Sequence, residues 1–128
     1  MFKNKKILVT GSAGFIGSVL TKRLLLESIG CTIVGYDNVN DYYDVSLKQW
    51  RLSQLEAIET DNEYRFVKGD LVDKGLLESL FEEYRFDIVV NLAAQAGVRY
   101  SISNPDAYIN SNIIVSNYCV IVNTFVFT

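Results

Sequence analysis

The sequence predicts an α/β fold, a doubly wound parallel sheet, and three observations carry that prediction. Short apolar runs alternate with stretches of helical spacing, giving the order strand, helix repeated four times. Three glycines, Gly11, Gly14 and Gly17, separate the first apolar run from the first helical stretch. An acid, Asp37, closes the second apolar run, about 20 positions beyond the glycines, the context that a dinucleotide-binding turn requires.

The first strand is Ile7, Leu8 and Val9, a continuous apolar run as expected for a strand buried on both faces. In the turn that follows, Gly11 permits the tight bend, Gly14 lets the backbone approach a pyrophosphate, and Gly17 lets the helix pack closely against the strand. The helix start then offers free N–H groups and a positive dipole end to phosphates. The spacing is Gly-x-x-Gly-x-x-Gly rather than the commoner Gly-x-Gly-x-x-Gly. Val19, Leu20, Leu24 and Leu25 give the first helix, from 14 to about 28, with Gly30 as its C-terminal cap.

The second strand covers 32 to 37. Asp37 at its end is placed to accept hydrogen bonds from ribose hydroxyls, and its charge repels a 2′-phosphate, which favours NAD over NADP. A polar, aromatic loop, 38 to 44, leads to a helix over 45 to 59 whose apolar positions are Leu47, Trp50, Leu55 and Ile58. The alternating run 64 to 68 is the third strand. It enters Gly69-Asp70-Leu71 at the carboxyl edge, where Asp70 and Leu71 are placed to meet an adenine; Asp70 reads equally well as the cap of the next helix, 73 to 83. Leu76, Leu77, Leu80 and Phe81 are its core positions. Residues 86 to 92 form the fourth strand, followed by small residues from Ala93 to Gly97 that leave room for a flat ring. Pro105 stands where another helix would start.

Composition narrows the function classes. The chain has 128 residues, enough for one domain but small for a complete dinucleotide enzyme. Hydrophobic residues make up 49%, which argues against disorder. A net charge of −3 without a basic run argues against nucleic acid as a partner. There is no histidine, so neither a His metal site nor a His base is available. Cys31 and Cys119 stand isolated in apolar surroundings and read as reduced core residues. The N-terminus runs directly into the first strand, so neither a signal peptide nor a membrane anchor is expected, and a cytoplasmic location is.

Taken together, Thr10 to Gly17, Asp37, Gly69-Asp-Leu71 and Asn91-Leu-Ala-Ala94 resemble the extended short-chain dehydrogenase/reductase family of NAD-dependent sugar-nucleotide epimerases and dehydratases. Within it, Asp37 to Val45 with Leu47-Lys48, and Ala94 to Ser101, resemble the UDP-glucuronate 4-epimerase group. The resemblance covers 5 to about 114 and implies a Rossmann-type doubly wound parallel sheet, truncated to its N-terminal half. It implies bound NAD, with Gly11, Gly14 and Gly17 at the pyrophosphate, Asp37 at the ribose, Asp70 and Leu71 at the adenine, and Leu92, Ala93 and Ala94 beside the nicotinamide. Phe15, Ile16 and Asn38 complete the cofactor set. Arg99 would lie near the sugar of a nucleotide-sugar substrate. The family's chemistry removes a hydride at C4 and returns it to the other face of a 4-keto sugar.

That chemistry needs a tyrosine base with a lysine four positions on, and the sequence departs from the family here. Only Tyr64 has such a lysine, Lys68, and both fall in a strand, where four residues span roughly 13 Å. No catalytic residue is assigned. The chain also departs after Ile114. The family would continue with Gly-Phe and a helix; 115 to 128 is instead uncharged, β-branched and aromatic. Loss of one nucleotide from a glycine codon yields the observed Ile-Ile-Val-Ser, so a frameshift truncating a longer epimerase is expected. The division is then 1–114, an N-terminal part of an NAD-binding domain, and 115–128, an atypical tail. Such a fragment would bind NAD weakly and catalyse nothing; the unpaired sheet edge would favour self-association, and a homodimer like the family's is the alternative. Other epimerases, dehydratases or reductases of sugar nucleotides, and a non-catalytic nucleotide-binding remnant, remain open.

Overall fold

β1 (Lys6–Thr10), β2 (Thr32–Asp37), β3 (Glu63–Lys68) and β4 (Ile88–Asn91) alternate with α1 (Phe15–Glu27), α2 (Val45–Glu56) and α3 (Lys74–Tyr84), and β5 (Phe125–Phe127) follows. The computed structural model describes residues 1–41, 44–71 and 73–93, and 125–127 as backbone. The strands form one sheet in the order β3-β2-β1-β4-β5, every neighbouring pair parallel. The expected helix after Pro105, and Cys119, lie outside the described residues.

The continuous apolar runs are explained by two cores, one on each face of the sheet. Along β1, Ile7 and Val9 point to one face, where they meet Ile33, Leu24 and Leu25 of α1, and Leu55 of α2. Leu8 points to the other, among Val34, Tyr36, Val89 and the α3 residues Leu77, Leu80 and Phe81. In β1 from Ile7 and in β2 from Ile33 every residue is buried, which is why these two runs lack the alternation of a one-sided sheet, whereas β3 alternates between exposed and half-buried positions. Cys31 is buried in the first core as a free thiol. Phe86, just ahead of β4, stacks on Tyr84 and meets Phe81 edge-on, closing the second core.

Several elements differ from their sequence-based bounds for local reasons. α1 ends at Glu27 with Ser28, in extended backbone, as its C-cap; Gly30 is not the cap but a left-handed turn residue (φ +63°) two positions later. Val19 faces solvent rather than the core. α2 stops at Glu56, so Ile58 packs on the core from beyond the helix. Its buried face is Lys48, Leu52 and Leu55, while Leu47 and Trp50 are 44% and 58% exposed, a rotation away from the expected stripe. The cap of α3 is Asp73, whose carboxylate accepts from the Leu76 N–H at 3.2 Å; Asp70 is not the cap. The expected four-strand sheet gains a fifth, since Phe125–Phe127 runs along β4 in register Ile88↔Phe125 to Val90↔Phe127.

Tyr36 is fully buried, and the hydroxyl of half-buried Tyr64 is buried too. Burial, with the charges of Asp73 and Asp70, pushes Tyr36 up to about 12. Burial, then Glu56, pushes Tyr64 up as well. The unfolded chain releases a phenolic proton near about pH 10 while folded Tyr36 holds it, so the unfolded state binds fewer protons between these values and stability falls as pH rises. Urea melts should show a midpoint that is lower at pH 11 than at pH 9, with a shallower decline in Tyr36→Phe. A midpoint insensitive to pH over this window would contradict the burial of these hydroxyls.

Candidate functional site

The parallel register brings the carboxyl ends of the strands to one edge: Thr10, Asp37, Lys68 and Asn91. From β1 the chain steps outward through β2 to β3 on one side, then crosses back through α3 to place β4 on the other side of β1, so the strand order reverses at β1. That is the place where an open α/β sheet leaves a crevice for a ligand.

The glycine turn occupies this crevice. Gly11 adopts φ +69° and presses on the end of β4: a Cβ there would lie 2.7 Å from the Leu92 carbonyl and 2.8 Å from the Ala93 nitrogen. The turn is tied to β2 through the Gly11 N–H, which donates to the Tyr36 carbonyl at 2.8 Å. Gly14 is the N-cap of α1 without any side-chain cap, so the helix start keeps its donors for another partner. A Cβ at Gly14 would meet only the Gly11 carbonyl oxygen, at 3.1 Å, and would otherwise protrude into the crevice. Phe15 and Ile16, the first residues of α1, are 74% and 65% exposed beside it.

Asp37 stands beside the turn and is buried. One carboxylate oxygen accepts from the Ala13 N–H at 3.0 Å; the other accepts from the Val39 N–H at 2.7 Å. Asn38 makes the next loop bond, accepting from the Asn40 N–H at 3.0 Å. The loop is strained, because β-branched Val39 sits at φ +51°, a conformation such residues avoid.

The third sequence-predicted pair divides. Asp70 is exposed, and its carbonyl accepts from the Tyr36 hydroxyl at 2.8 Å; the Leu71 side chain is buried in the core. At β4, the Thr10 hydroxyl donates to the Asn91 side-chain oxygen at 2.5 Å and accepts from the Ala93 N–H at 3.3 Å, fixing Leu92 and Ala93 against the turn. Ala94 and Arg99 lie outside the described residues.

Motif reading missed five contributors: Thr10, Tyr36 and Ala13, which hold the turn, and Lys48 and Arg51 of α2. The Lys48 ammonium donates to the Asn40 carbonyl at 3.3 Å and to its side-chain oxygen at 2.9 Å; the Arg51 guanidinium donates to the Ala13 carbonyl at 3.3 Å. Thr10 and Ala13 lie within the quoted Thr10 to Gly17 segment and Lys48 within the quoted Leu47-Lys48 pair, but no role was attached to any of them; Tyr36 and Arg51 carried no signal.

The Tyr64-Lys68 pair is confirmed as a strand pair in β3. Among the described residues neither the buried Tyr64 hydroxyl nor the buried Ser12 hydroxyl, both against Gly35, has a hydrogen-bond partner. Because an unsatisfied buried hydroxyl costs free energy, Ser12→Ala should leave stability unchanged or raise it by about 1 kcal/mol in a denaturant melt. A loss above about 1 kcal/mol would show that the hydroxyl has a partner. Among the described residues no His, Cys, Asp or Glu cluster could hold a metal, and no helix is long and apolar enough to cross a membrane.

Comparison with known proteins gives one consistent result. Residues 8–117 match the family model for GDP-mannose 4,6 dehydratase. The chain is 50% identical to Protein CapI of Staphylococcus aureus over 109 residues, 85% of this chain and 31% of that protein. It is 49% identical to UDP-glucuronate 4-epimerase 6 of Arabidopsis thaliana over 107 residues, 84% of this chain and 22% of that one. Among solved structures it resembles a UDP-glucose-4-epimerase from Stenotrophomonas maltophila with bound NAD and formylated UDP-arabinopyranose, with a TM-score of 0.73, 30% identity, and coverage of 92% of this chain and 33% of that one. The chain thus spans about a third or less of the length of these relatives.

Proposed function

The chain belongs to the GDP-mannose 4,6 dehydratase family, and from that premise we propose that it provides the NAD-binding share of a sugar-nucleotide epimerase of the UDP-glucuronate 4-epimerase kind. The observation that supports this most directly is the Asp37 carboxylate bonded to the Ala13 N–H, because it sets a ribose acceptor beside a pyrophosphate turn in one rigid unit.

In this reading the uncapped start of α1, with the backbone of Gly14 to Gly17, holds the pyrophosphate. Gly11 shapes the turn. Phe15 and Ile16 shield the phosphates from one side. Asp37 accepts from the ribose hydroxyls while Asn38 keeps the loop in place. Asp70 and the backbone of Leu71 face the adenine, the Leu71 side chain being committed to the core. Leu92 and Ala93 wall the nicotinamide; Ala94 and Arg99 are assigned to the nicotinamide and to the sugar by the family resemblance alone. When bound, NAD supplies a hydride acceptor and donor for C4 of the sugar. This chain's residues bind, orient and shield; Tyr64, its hydroxyl buried and held protonated, is no base for that reaction.

Relatives named for glucuronate epimerisation favour that substrate class; the dTDP-glucose 4,6-dehydratase of Bacillus anthracis, solved with NAD, is 27% identical over the same fold and keeps dehydration as the second reading. The test is calorimetric titration of the folded chain with NAD, paired with an assay converting UDP-glucuronate to UDP-galacturonate. Binding without turnover is expected. A folded chain with no heat of binding would overturn the assignment, and turnover would overturn the absence of a base.

A further inference from the structure

α2 carries a cation that no described carboxylate compensates. Lys48 is only 7% exposed and lies in the first turn of the helix, where the helix dipole disfavours positive charge. Among the described residues no carboxylate forms an ion pair with it. Its two hydrogen bonds go to the neutral Asn40, leaving one of three ammonium N–H groups for another acceptor. Buried charge is normally matched by an opposite one, so an anion is the expected missing partner. One helical turn along, Arg51 uses a single N–H on the Ala13 carbonyl. The two cations are linked to the same carboxylate from either side. Arg51 holds Ala13, whose N–H bonds one oxygen of Asp37; Lys48 holds Asn40, next to Val39, whose N–H bonds the other.

We propose that Lys48 and Arg51 form a second anion-accepting subsite at the ribose end of the cofactor site, shaped for a ribose 2′-phosphate, and that the Asp37 carboxylate alone keeps it closed. The inference rests on the NAD reading above. It turns cofactor choice at this edge into a balance of one negative against two positive groups. A 2′-phosphate is repelled by Asp37 but has two cationic donors waiting once that charge is gone. The strained Val39 turn, fixed by Asp37 on one side and next to the Lys48-bound residue on the other, is the piece of backbone that both groups share.

The experiment titrates NAD and NADP into the wild-type chain, Asp37→Ser, and Asp37→Ser combined with Lys48→Met or with Arg51→Leu, after thermal melts show each to be folded. The same set is built on Asp37→Asn, which preserves side-chain shape if the serine variant does not fold. Neutralising Asp37 should tighten NADP binding by about tenfold or more, and removing either cation should take back most of that gain, the worth of one charge-assisted hydrogen bond. Folded Asp37 variants with no gain in NADP affinity would overturn the proposal, as would a gain that survives loss of either cation. A wild-type chain that does not bind NAD fails the parent reading instead; NAD binding with no switch fails this one only.

Discussion

Gly17→Ala is expected to lower the thermal midpoint by more than about 10 °C, a loss of about 3 kcal/mol. The added Cβ would overlap the Gly11 carbonyl oxygen outright, and would lie 2.8 Å from the Gly11 carbonyl carbon and 3.0 Å from the Ser12 Cα. All three are backbone atoms, so no side chain can swing aside to relieve the clash. Nor can the turn retreat. The Gly11 N–H is bonded to the Tyr36 carbonyl, its carbonyl accepts from the Gly14 N–H, and its Cα rests against the end of β4. The clash must therefore push α1 off the sheet, opening the core around Leu24 and Leu25. Gly14→Ala is the control. Its Cβ would meet a single atom at 3.1 Å, so the fold should hold while phosphate affinity drops. Equal melting losses in the two variants would mean that Gly17 contributes only backbone freedom, and the close-packing argument would fail.

The contrast between those glycines shows which parts of the molecule local sequence can reveal. The turn is short-range: its strand, its glycines and its helix start are contiguous, and each glycine has a separate steric reason. Thr32–Asp37 was likewise legible because its run is apolar throughout and ends on the acid. α2 was not. Leu47 and Trp50 are apolar and helically spaced, yet they are exposed, while Lys48 is buried because its stem can lie in the core and its ammonium finds Asn40. A periodicity argument counts lysine as solvent and rotates the helix accordingly. The Asp70 cap failed for a similar reason. Two acids three positions apart both suit a cap, and only the tertiary path of the chain decides that Asp73 takes it. Leu71 read as an adenine contact because of its position, but Leu8, Val34 and α3 claim its side chain. The Thr10–Asn91 bond spans 81 positions in sequence and has no local signature at all.

Asp37→Ala should weaken NAD binding by about 100-fold, the worth of about two hydrogen bonds to a charged group. The size follows from what the carboxylate does on both sides. Toward the protein it accepts from Ala13 and Val39, joining the glycine turn to the strained loop. Toward a ligand it is the acceptor for the ribose hydroxyls in the reading proposed here. Alanine removes both functions and leaves two backbone N–H groups without their acceptor, so some stability is lost together with affinity. The two effects separate by probe. Inorganic pyrophosphate binds through the helix start and should lose little, whereas AMP, which carries the adenosine ribose, should lose nearly as much as NAD. Asn at this position keeps the shape but replaces one acceptor oxygen with a donor, so Asp37→Asn should fall between alanine and wild type for NAD. If AMP and pyrophosphate weakened equally in Asp37→Ala, the carboxylate would be acting on the turn alone, and the ribose assignment would have to be withdrawn.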